Sequence, residues 1–133
     1  MDTGHWTYDG NESDLEGKLG FVYMLTHRKS GRKYVGIKQM RSKFRRPPLK
    51  GKKRKRVAWK ETDWKTYTSS SERVHAIIEE EGIHAFDWKI LSLHESKSGM
   101  KWEELRIQVE NDVLRNDGFL NGMVNVRLSS VGN

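Results

Sequence analysis

Short apolar runs separated by turn residues recur along the chain and predict its strands. The runs FVYML, from Phe21, and KYVGI, from Lys33, flank the segment HRKSGR, a pattern typical of a β-hairpin with a glycine-containing turn. The segment FDWKILSL, residues 86–93, alternates apolar and polar positions and predicts a further strand. The hydrophobic pattern therefore indicates at least three strands, two of them joined as a hairpin.

Two other segments have helical periodicity. Ser70 or Ser71 can cap a helix that runs through SERVHAIIEEEG, residues 71–82, and Gly82 can stop it. The apolar residues on one face of this helix are Val74, Ile77 and Ile78. A last helix is predicted over roughly residues 101–115, and its buried stripe is expected to be Leu105, Val109 and Val113.

The order hairpin, helix, strand, helix predicts an α/β (α+β) fold with a three-stranded, mostly antiparallel sheet flanked by helices. With 133 residues the chain has room for one modest core, so we expect a single domain. Residues 1–17 show no period and are predicted to be an N-terminal arm, which leaves residues 18–133 for the domain. Residues 38–60 are predicted to be a basic loop, with a short helix before Pro47-Pro48 as an option.

The charge of the chain points to a polyanionic partner. Lysine and arginine number 25 against 18 acidic residues, and the pI is about 9.7. Nucleic acid is the leading candidate, and the densest run is predicted to contact its phosphates through Lys50, Lys52, Lys53, Arg54, Lys55 and Arg56. The absence of cysteine excludes disulfides and thiolate metal sites. With no apolar run long enough for a bilayer and no signal-peptide pattern, we expect a cytoplasmic protein that is neither secreted nor bound to membranes.

Two triplets on the predicted hairpin carry a resemblance to a known family. Phe21-Val22-Tyr23 and Tyr34-Val35-Gly36 resemble the paired motifs of GIY-YIG nucleases, and Glu110 and Asn125 match the family's later helix Glu and the Asn some fifteen residues beyond it. The likeness covers about residues 20–128. It looks closest to the phage-encoded, Seg-like, homing-type branch, through the segments WKTYTSSS, FDWKIL and NGMVNVR.

The resemblance implies a metal-dependent endonuclease that hydrolyses phosphodiester bonds of double-stranded DNA, with a homodimer on DNA as one arrangement. Such hydrolysis needs an activated water, a counter-charge at the phosphate and stabilisation of the leaving oxygen. By resemblance Glu110 would hold Mg²⁺, with Mn²⁺ as an alternative, while waters and phosphate oxygens complete the coordination. Glu103 and Glu104 compete with Glu110 for this role.

The tyrosines receive the water-activating roles by the same resemblance. Tyr23 would act as the base or hydrogen-bond to it, and Lys38 would supply the positive charge that helps a phenol to ionise. Tyr34 would position the water or the phosphate from the neighbouring strand. A Ser or His within residues 69–75 stays open as the base.

An arginine and an asparagine complete the site that the resemblance implies. The family's helix arginine falls on Phe44 here, so Arg41 or Arg45 would clamp the scissile phosphate. Asn125 would tie the C-terminal segment to the site. Because tyrosines are common on strands and cationic runs are commonly solvated, a non-catalytic basic module that binds DNA or RNA on the same fold stays open as the alternative.

Overall fold

Six β-strands and two α-helices make up residues 2–124, which are the residues that this computed structural model describes. The strands are β1 (Thr7–Tyr8), β2 (Gly20–His27), β3 (Lys33–Gln39), β4 (Arg41–Arg46), β5 (Arg56–Glu61) and β6 (Phe86–His94). The helices are α1 (Glu72–Glu81) and α2 (Lys97–Glu110), and short 3-10 helices lie at Glu12–Leu15, Trp64–Thr66 and Ile83–Ala85. Neither α-helix of the described residues has the length and apolar composition needed to cross a membrane.

The main sheet has the strand order β1-β6-β2-β3. Its three long strands pair antiparallel, as predicted, and β1 adds a short parallel pairing to β6. The α/β class is therefore confirmed, with a fourth strand that the hydrophobic pattern did not reveal. Across the sheet, Tyr23 of β2 lies opposite Gly36 on one side and Ile90 on the other.

The sheet buries side chains on both of its faces, because successive residues of a strand point in opposite directions. Phe21, Tyr23 and Leu25 belong to one hydrophobic cluster, which also contains Trp64 and α1 residue Val74. A second cluster holds Val22, Val35, Val113 and Phe119. Burial on both faces explains why β2 reads as a continuous apolar run rather than as an alternating one.

Helix α1 agrees with its prediction. The hydroxyl of Ser71 accepts a hydrogen bond from the backbone N–H of Val74, which satisfies one free donor of the first turn. Gly82 ends the helix with φ at 90°, a left-handed conformation that favours glycine.

Helix α2 differs from its prediction in position and in buried face. It begins after Ser96, whose hydroxyl accepts from the N–H of Gly99, and it ends at Glu110 instead of reaching residue 115. Met100 and Gln108 are its buried residues, whereas Val109 of the predicted stripe is 67% exposed. The helix carries apolar residues on more than one side, so periodicity alone could not select the side that packs.

The N-terminal segment does not behave as the predicted arm. Trp6 is 2% exposed, and its indole N–H donates to the backbone oxygen of Trp64 over 2.6 Å. Leu15 is also buried in the main core. Residues 2–17 are therefore part of the domain, and only the lack of a period in a short segment suggested otherwise.

The basic loop predicted over residues 38–60 contains regular structure. Residues 38 and 39 complete β3, and β4 and β5 then pair antiparallel over six residues, from Arg41 opposite Glu61 to Arg46 opposite Arg56. The option of a short helix before the prolines is wrong, since those residues form β4. Only residues 47–55 remain as an irregular connection.

Candidate active site

Three tyrosines gather on one face of the sheet, over the β2–β3 pair. The ring centroids of Tyr23 and Tyr34 are 6.2 Å apart, and those of Tyr23 and Tyr67 are 6.4 Å apart. Tyr23 is fully buried, whereas Tyr34 and Tyr67 are half-buried and pack against the same core cluster. The structure thus brings the two predicted hairpin tyrosines together and adds Tyr67, which follows the 3-10 helix Trp64–Thr66.

Gly36 fixes how the Tyr23 ring lies. A Cβ at position 36 would fall on the phenol oxygen and the adjacent ring carbon of Tyr23, so the ring lies flat across the glycine. On the other side of β2, the register with β6 shifts between Val22 and Tyr23, a bulge of the kind that redirects a side chain. The last glycine of the second motif is therefore a packing requirement of the first motif's tyrosine.

The environment of Tyr23 keeps its phenol neutral. Burial raises the pKa of Tyr23 well above its ordinary value, and the neighbouring Tyr34, Tyr67 and Glu104 raise it further. Lys38 was expected to oppose this, but its ammonium lies 2.8 Å from Asp63 and 4.2 Å from the centre of the Tyr67 ring. Lys38 therefore lies over the Tyr67 ring and pairs with Asp63, and its predicted role in ionising Tyr23 stays a prediction.

A carboxylate that the resemblance did not favour, Glu104, faces the tyrosines. Burial raises its pKa to about 7, and Lys101 opposes the shift only in part. Glu104 also raises the pKa values of Tyr23 and Tyr34, as expected of a carboxylate close to both phenols. Burial is also the main cause of the raised pKa of Tyr34, and the Ser70 hydroxyl beside that phenol acts in the opposite direction.

Glu110 lies elsewhere on the same helix. Six residues rotate an α-helix by about 240°, so Glu110 and Glu104 point in different directions. The Glu110 carboxylate is exposed at the end of α2 and accepts a 2.7 Å hydrogen bond from Arg106, which also pairs with Glu103. Of the three glutamates, Glu104 is therefore the one that acts on the tyrosine phenols, and the metal-binding role predicted for Glu110 stays a prediction.

An open cleft of about 510 Å³ lies between α1, α2 and the edge of β3. Its polar lining includes Tyr34, Ser70, Arg73, Glu104 and Asn121. Arg73 is exposed on the first turn of α1 and is the cation among the described residues that line this cleft.

The two arginines predicted to clamp the phosphate lie on the β4–β5 hairpin. The guanidinium of Arg41 is 4.8 Å from the centre of the Trp59 ring, and its buried Nε has no hydrogen-bond partner among the described residues. Arg45 is exposed further along β4. Neither lines the cleft of Tyr34 and Glu104, whereas Arg73 does.

A buried asparagine joins the C-terminal segment to the site. The amide of Asn121 accepts from the N–H of Val35 over 3.1 Å and donates to the carbonyl of Val35 over 2.9 Å. Asn125, which was predicted for this supporting role, lies outside the described residues. Asn121 stands in the same NGMVNV segment, four residues earlier, and the spacing alone gave no reason to prefer it.

The donor set of the site suits a hard cation that keeps most of its own water. Residues 2–124 contain no group of three or more His, Asp or Glu side chains able to enclose a metal ion. Glu104 is a half-buried carboxylate whose pKa is raised by burial, and a divalent cation would stabilise its charged form. A single carboxylate suits Mg²⁺, which is often held by one or two carboxylates together with substrate phosphates and water.

A GIY-YIG nuclease domain is the class that this sheet and its paired hairpin tyrosines define, and a comparison with family models agrees. Residues 6–124 match the model described as "Putative endonuclease segE, GIY-YIG domain", and the chain therefore belongs to that family. Membership implies nuclease activity in general, with DNA as the substrate class. The chain matches no curated protein and no solved structure.

Proposed function

We propose that this protein is a Mg²⁺-dependent endonuclease that hydrolyses phosphodiester bonds of double-stranded DNA in the cleft between Tyr34 and Glu104. The observation that supports the proposal is the placement of Glu104, with its pKa of about 7, against the paired tyrosines of the hairpin. The finer identity as a phage-encoded, homing-type enzyme rests on the resemblance of the sequence. Cytoplasmic location likewise stays a prediction.

Glu104 would hold the Mg²⁺, with Mn²⁺ as an alternative. A bound divalent cation supplies a Lewis acid for the scissile phosphate and a counter-charge for the departing 3′ oxygen. Arg73, on the same cleft, carries a planar guanidinium that can donate hydrogen bonds to two phosphate oxygens in a bidentate contact. We assign the phosphate-clamping role to Arg73 in place of Arg41 and Arg45.

The tyrosines hold and orient the attacking water. Tyr34 lines the cleft, so its phenol can both donate to a phosphate oxygen and accept from a water. Tyr23, buried beneath it and kept neutral, serves as a hydrogen-bonding support and not as a free phenolate. Asn121 holds the C-terminal segment against β3 and so keeps the cleft edge in place.

Plasmid cleavage by two matched variants of α2 tests the proposal. We expect Glu104→Gln to lower the rate with Mg²⁺ by at least about a hundredfold, because it removes the metal-binding charge while keeping the shape of the side chain. Glu110→Gln, on the same helix, should cut within about twofold of the wild type. If Glu110→Gln lost more activity than Glu104→Gln, Glu110 would be the metal ligand. If the wild type showed no metal-dependent cleavage, the protein would be a non-catalytic module that binds nucleic acid.

The pH dependence of cleavage separates a metal ligand from a general base. A proton and Mg²⁺ compete for the Glu104 carboxylate, so activity at low Mg²⁺ should rise with pH through about 7. Raising the Mg²⁺ concentration should move the midpoint of this rise to lower pH. A midpoint that does not move with Mg²⁺ would assign Glu104 the role of base instead.

A further inference from the structure

The β4–β5 hairpin projects from the domain without a core of its own. We call residues 41–61 the basic ribbon. Its base is fixed to the domain, because the N–H of Thr62 donates to Met40 and the Thr62 hydroxyl donates to the Gln39 carbonyl. None of the residues of β4 or β5 is buried. A two-stranded hairpin in water is marginal at best, so this element is not built to support the core.

The basic ribbon carries all of the protein's excess positive charge. It contains eleven of the 25 lysines and arginines and one of the 18 acidic residues, which gives it a charge of +10. The other 112 residues have a net charge of −3. Without the ribbon the protein would repel DNA at long range, so the attraction must come from this element.

The cations of the ribbon have no acidic partners among the residues that the structure describes. Its cations take part in none of the ion pairs found among residues 2–124, whereas cations elsewhere, such as Lys18, Lys89 and Arg106, do. Instead, Arg41 and Lys43 lie 4.8 Å and 5.9 Å from the centre of the Trp59 ring. Such contacts hold the side chains in place and leave their charge available to an anion.

The two faces of the ribbon are not equivalent. Strand alternation puts Lys43, Arg45, Val57 and Trp59 on one face, which we call the open face. The other face holds Phe44 and Ala58 together with the cations Arg46, Arg56 and Lys60, so the faces differ in exposed apolar surface and not in charge. Phe44 and Ala58 are half-buried, whereas Val57 and Trp59 are 51% and 47% exposed. The open face therefore combines cations with apolar surface, which are the side-chain types that contact guanine edges and thymine methyl groups.

We propose that the basic ribbon enters the major groove of duplex DNA, with the Trp59 face towards the base edges and residues 47–55 against the phosphates. The inference rests on the DNA substrate of the proposed function. A major groove about 12 Å wide admits a two-stranded ribbon, and six residues of strand reach about 20 Å. Double-stranded RNA would not be held in this way, because its major groove is too narrow.

Binding measured in EDTA tests the ribbon without requiring cleavage. A labelled 30-base-pair DNA duplex is titrated by fluorescence anisotropy at several salt concentrations. We expect Lys43→Gln/Arg45→Gln, on the open face, to weaken binding by at least about tenfold. We expect Lys52→Gln/Lys53→Gln, in the connection, to reduce the slope of log affinity against log salt by about 2.

A matched control and a groove-specific probe complete the experiment. Lys29→Gln/Lys97→Gln removes two exposed cations outside the ribbon and should bind within about twofold of the wild type. The wild type should protect guanine N7, a major-groove atom, from methylation, and the Lys43→Gln/Arg45→Gln variant should lose that protection. Circular dichroism melting checks that each variant is folded, and the connection variant still tests the ribbon if the face variant unfolds.

The outcomes separate this inference from the proposed function. The inference about the ribbon would be wrong if its variants bound DNA as tightly as the control pair, if duplex RNA bound equally well, or if guanine were not protected. None of these results would contradict the proposed nuclease function. If the ribbon bound DNA as expected but the protein never cut plasmid, the inference about the ribbon would stand and the proposed nuclease function would be wrong.

Discussion

Tyr23 and Gly36 face each other across the β2–β3 pair, and the Tyr23 phenol occupies the space where a Cβ of residue 36 would lie. The register of the hairpin thus determines that the glycine of one motif serves the tyrosine of the other. Neither residue type alone would have indicated this relation, because it depends on which residues are opposite each other in the sheet.

The first prediction concerns Gly36→Ala. The new methyl group should push the Tyr23 ring out of place, lower the free energy of unfolding by about 1–3 kcal/mol and lower the cleavage rate by more than about tenfold. Urea denaturation and plasmid cleavage measure the two effects. Gly122→Ala, where a Cβ would meet no atom of residues 2–124 within 4 Å, is the control for stability. Equal stability of the two variants would mean that the ring does not lie on Gly36.

The second prediction concerns the stability of the fold at Glu104. The pKa of this carboxyl rises from 4.5 to about 7 on folding, so folding favours its protonated form. Its stabilising contribution is complete below about pH 4.5 and is lost as the pH rises through 7. Glu104→Gln should therefore be more stable than the wild type at pH 8, by about 1–2 kcal/mol after allowance for partial exposure, and nearly equal to it at pH 5.

Urea denaturation at the two pH values checks this second prediction, with Glu110→Gln as the control on the same helix. Glu110 is exposed, so its replacement should change stability little at either pH. A Glu104→Gln variant that is no more stable at pH 8 would show that the wild-type carboxylate ionises in the cleft at no cost. A gain in stability together with a loss of cleavage would identify a group kept for function.

At the level of elements, the N-terminal segment shows how a short aromatic anchor supports the site. Trp6 contacts Phe21, Tyr23 and Trp88, with ring centroids between 5.0 and 5.4 Å apart. Its indole N–H is hydrogen-bonded to the Trp64 carbonyl. Trp6 thus packs against the buried ring of Tyr23 and connects the strands of the sheet to the 3-10 helix that contains Trp64.

The third prediction follows from this packing. Trp6→Ala should lower the free energy of unfolding by about 3–5 kcal/mol, because it leaves a cavity and an unpaired carbonyl in the core. Trp102→Ala, at a tryptophan that is 55% exposed on α2, should change it by about 0.5 kcal/mol or less. Urea denaturation compares the two. Similar effects would mean that residues 2–17 are the detachable arm expected from the sequence.

Helix α2 marks the limit of what periodicity could predict at this scale. Its existence was expected, but its first residue, its last residue and its packed side differ. Trp102, Leu105 and Val109 form an apolar stripe that looks as suitable for a core as the side carrying Met100 and Glu104. The side that carries Met100 and Glu104 is the one that packs on the sheet, and this packing brings Glu104 close to the tyrosines.

For the whole molecule, the division between a basic ribbon and a slightly acidic domain determines how DNA would approach. The ribbon's charge of +10 would attract the duplex, while the rest of the chain, with its charge of −3, contains the cleft. The sequence already predicted phosphate contacts at Lys50, Lys52, Lys53, Arg54, Lys55 and Arg56. These contacts stay a prediction, and the structure adds that the run connects two strands.

The fourth prediction concerns the products of cleavage. The described residues form one tyrosine–carboxylate cleft per chain, so each encounter with a duplex should cut one strand. Supercoiled plasmid should therefore become nicked first, with linear DNA appearing later from the nicked form. A gel time course at several protein concentrations measures this order. Linear product that appears directly, with a rate rising as the square of protein concentration, would indicate the homodimer on DNA instead.

The sequence by itself determined the hairpin and its tyrosines, the cap and end of α1, the third long strand, the fold class and the family. These depend on turn residues, capping groups and alternation, which act over a few neighbouring residues. Tertiary structure decided which side chains meet in the cleft beside Tyr34, among them Glu104, Arg73 and Asn121, and the roles given to them above are proposals. Side chains far apart in the chain meet only when a helix packs one of its possible faces on the sheet, and nothing local fixes that face.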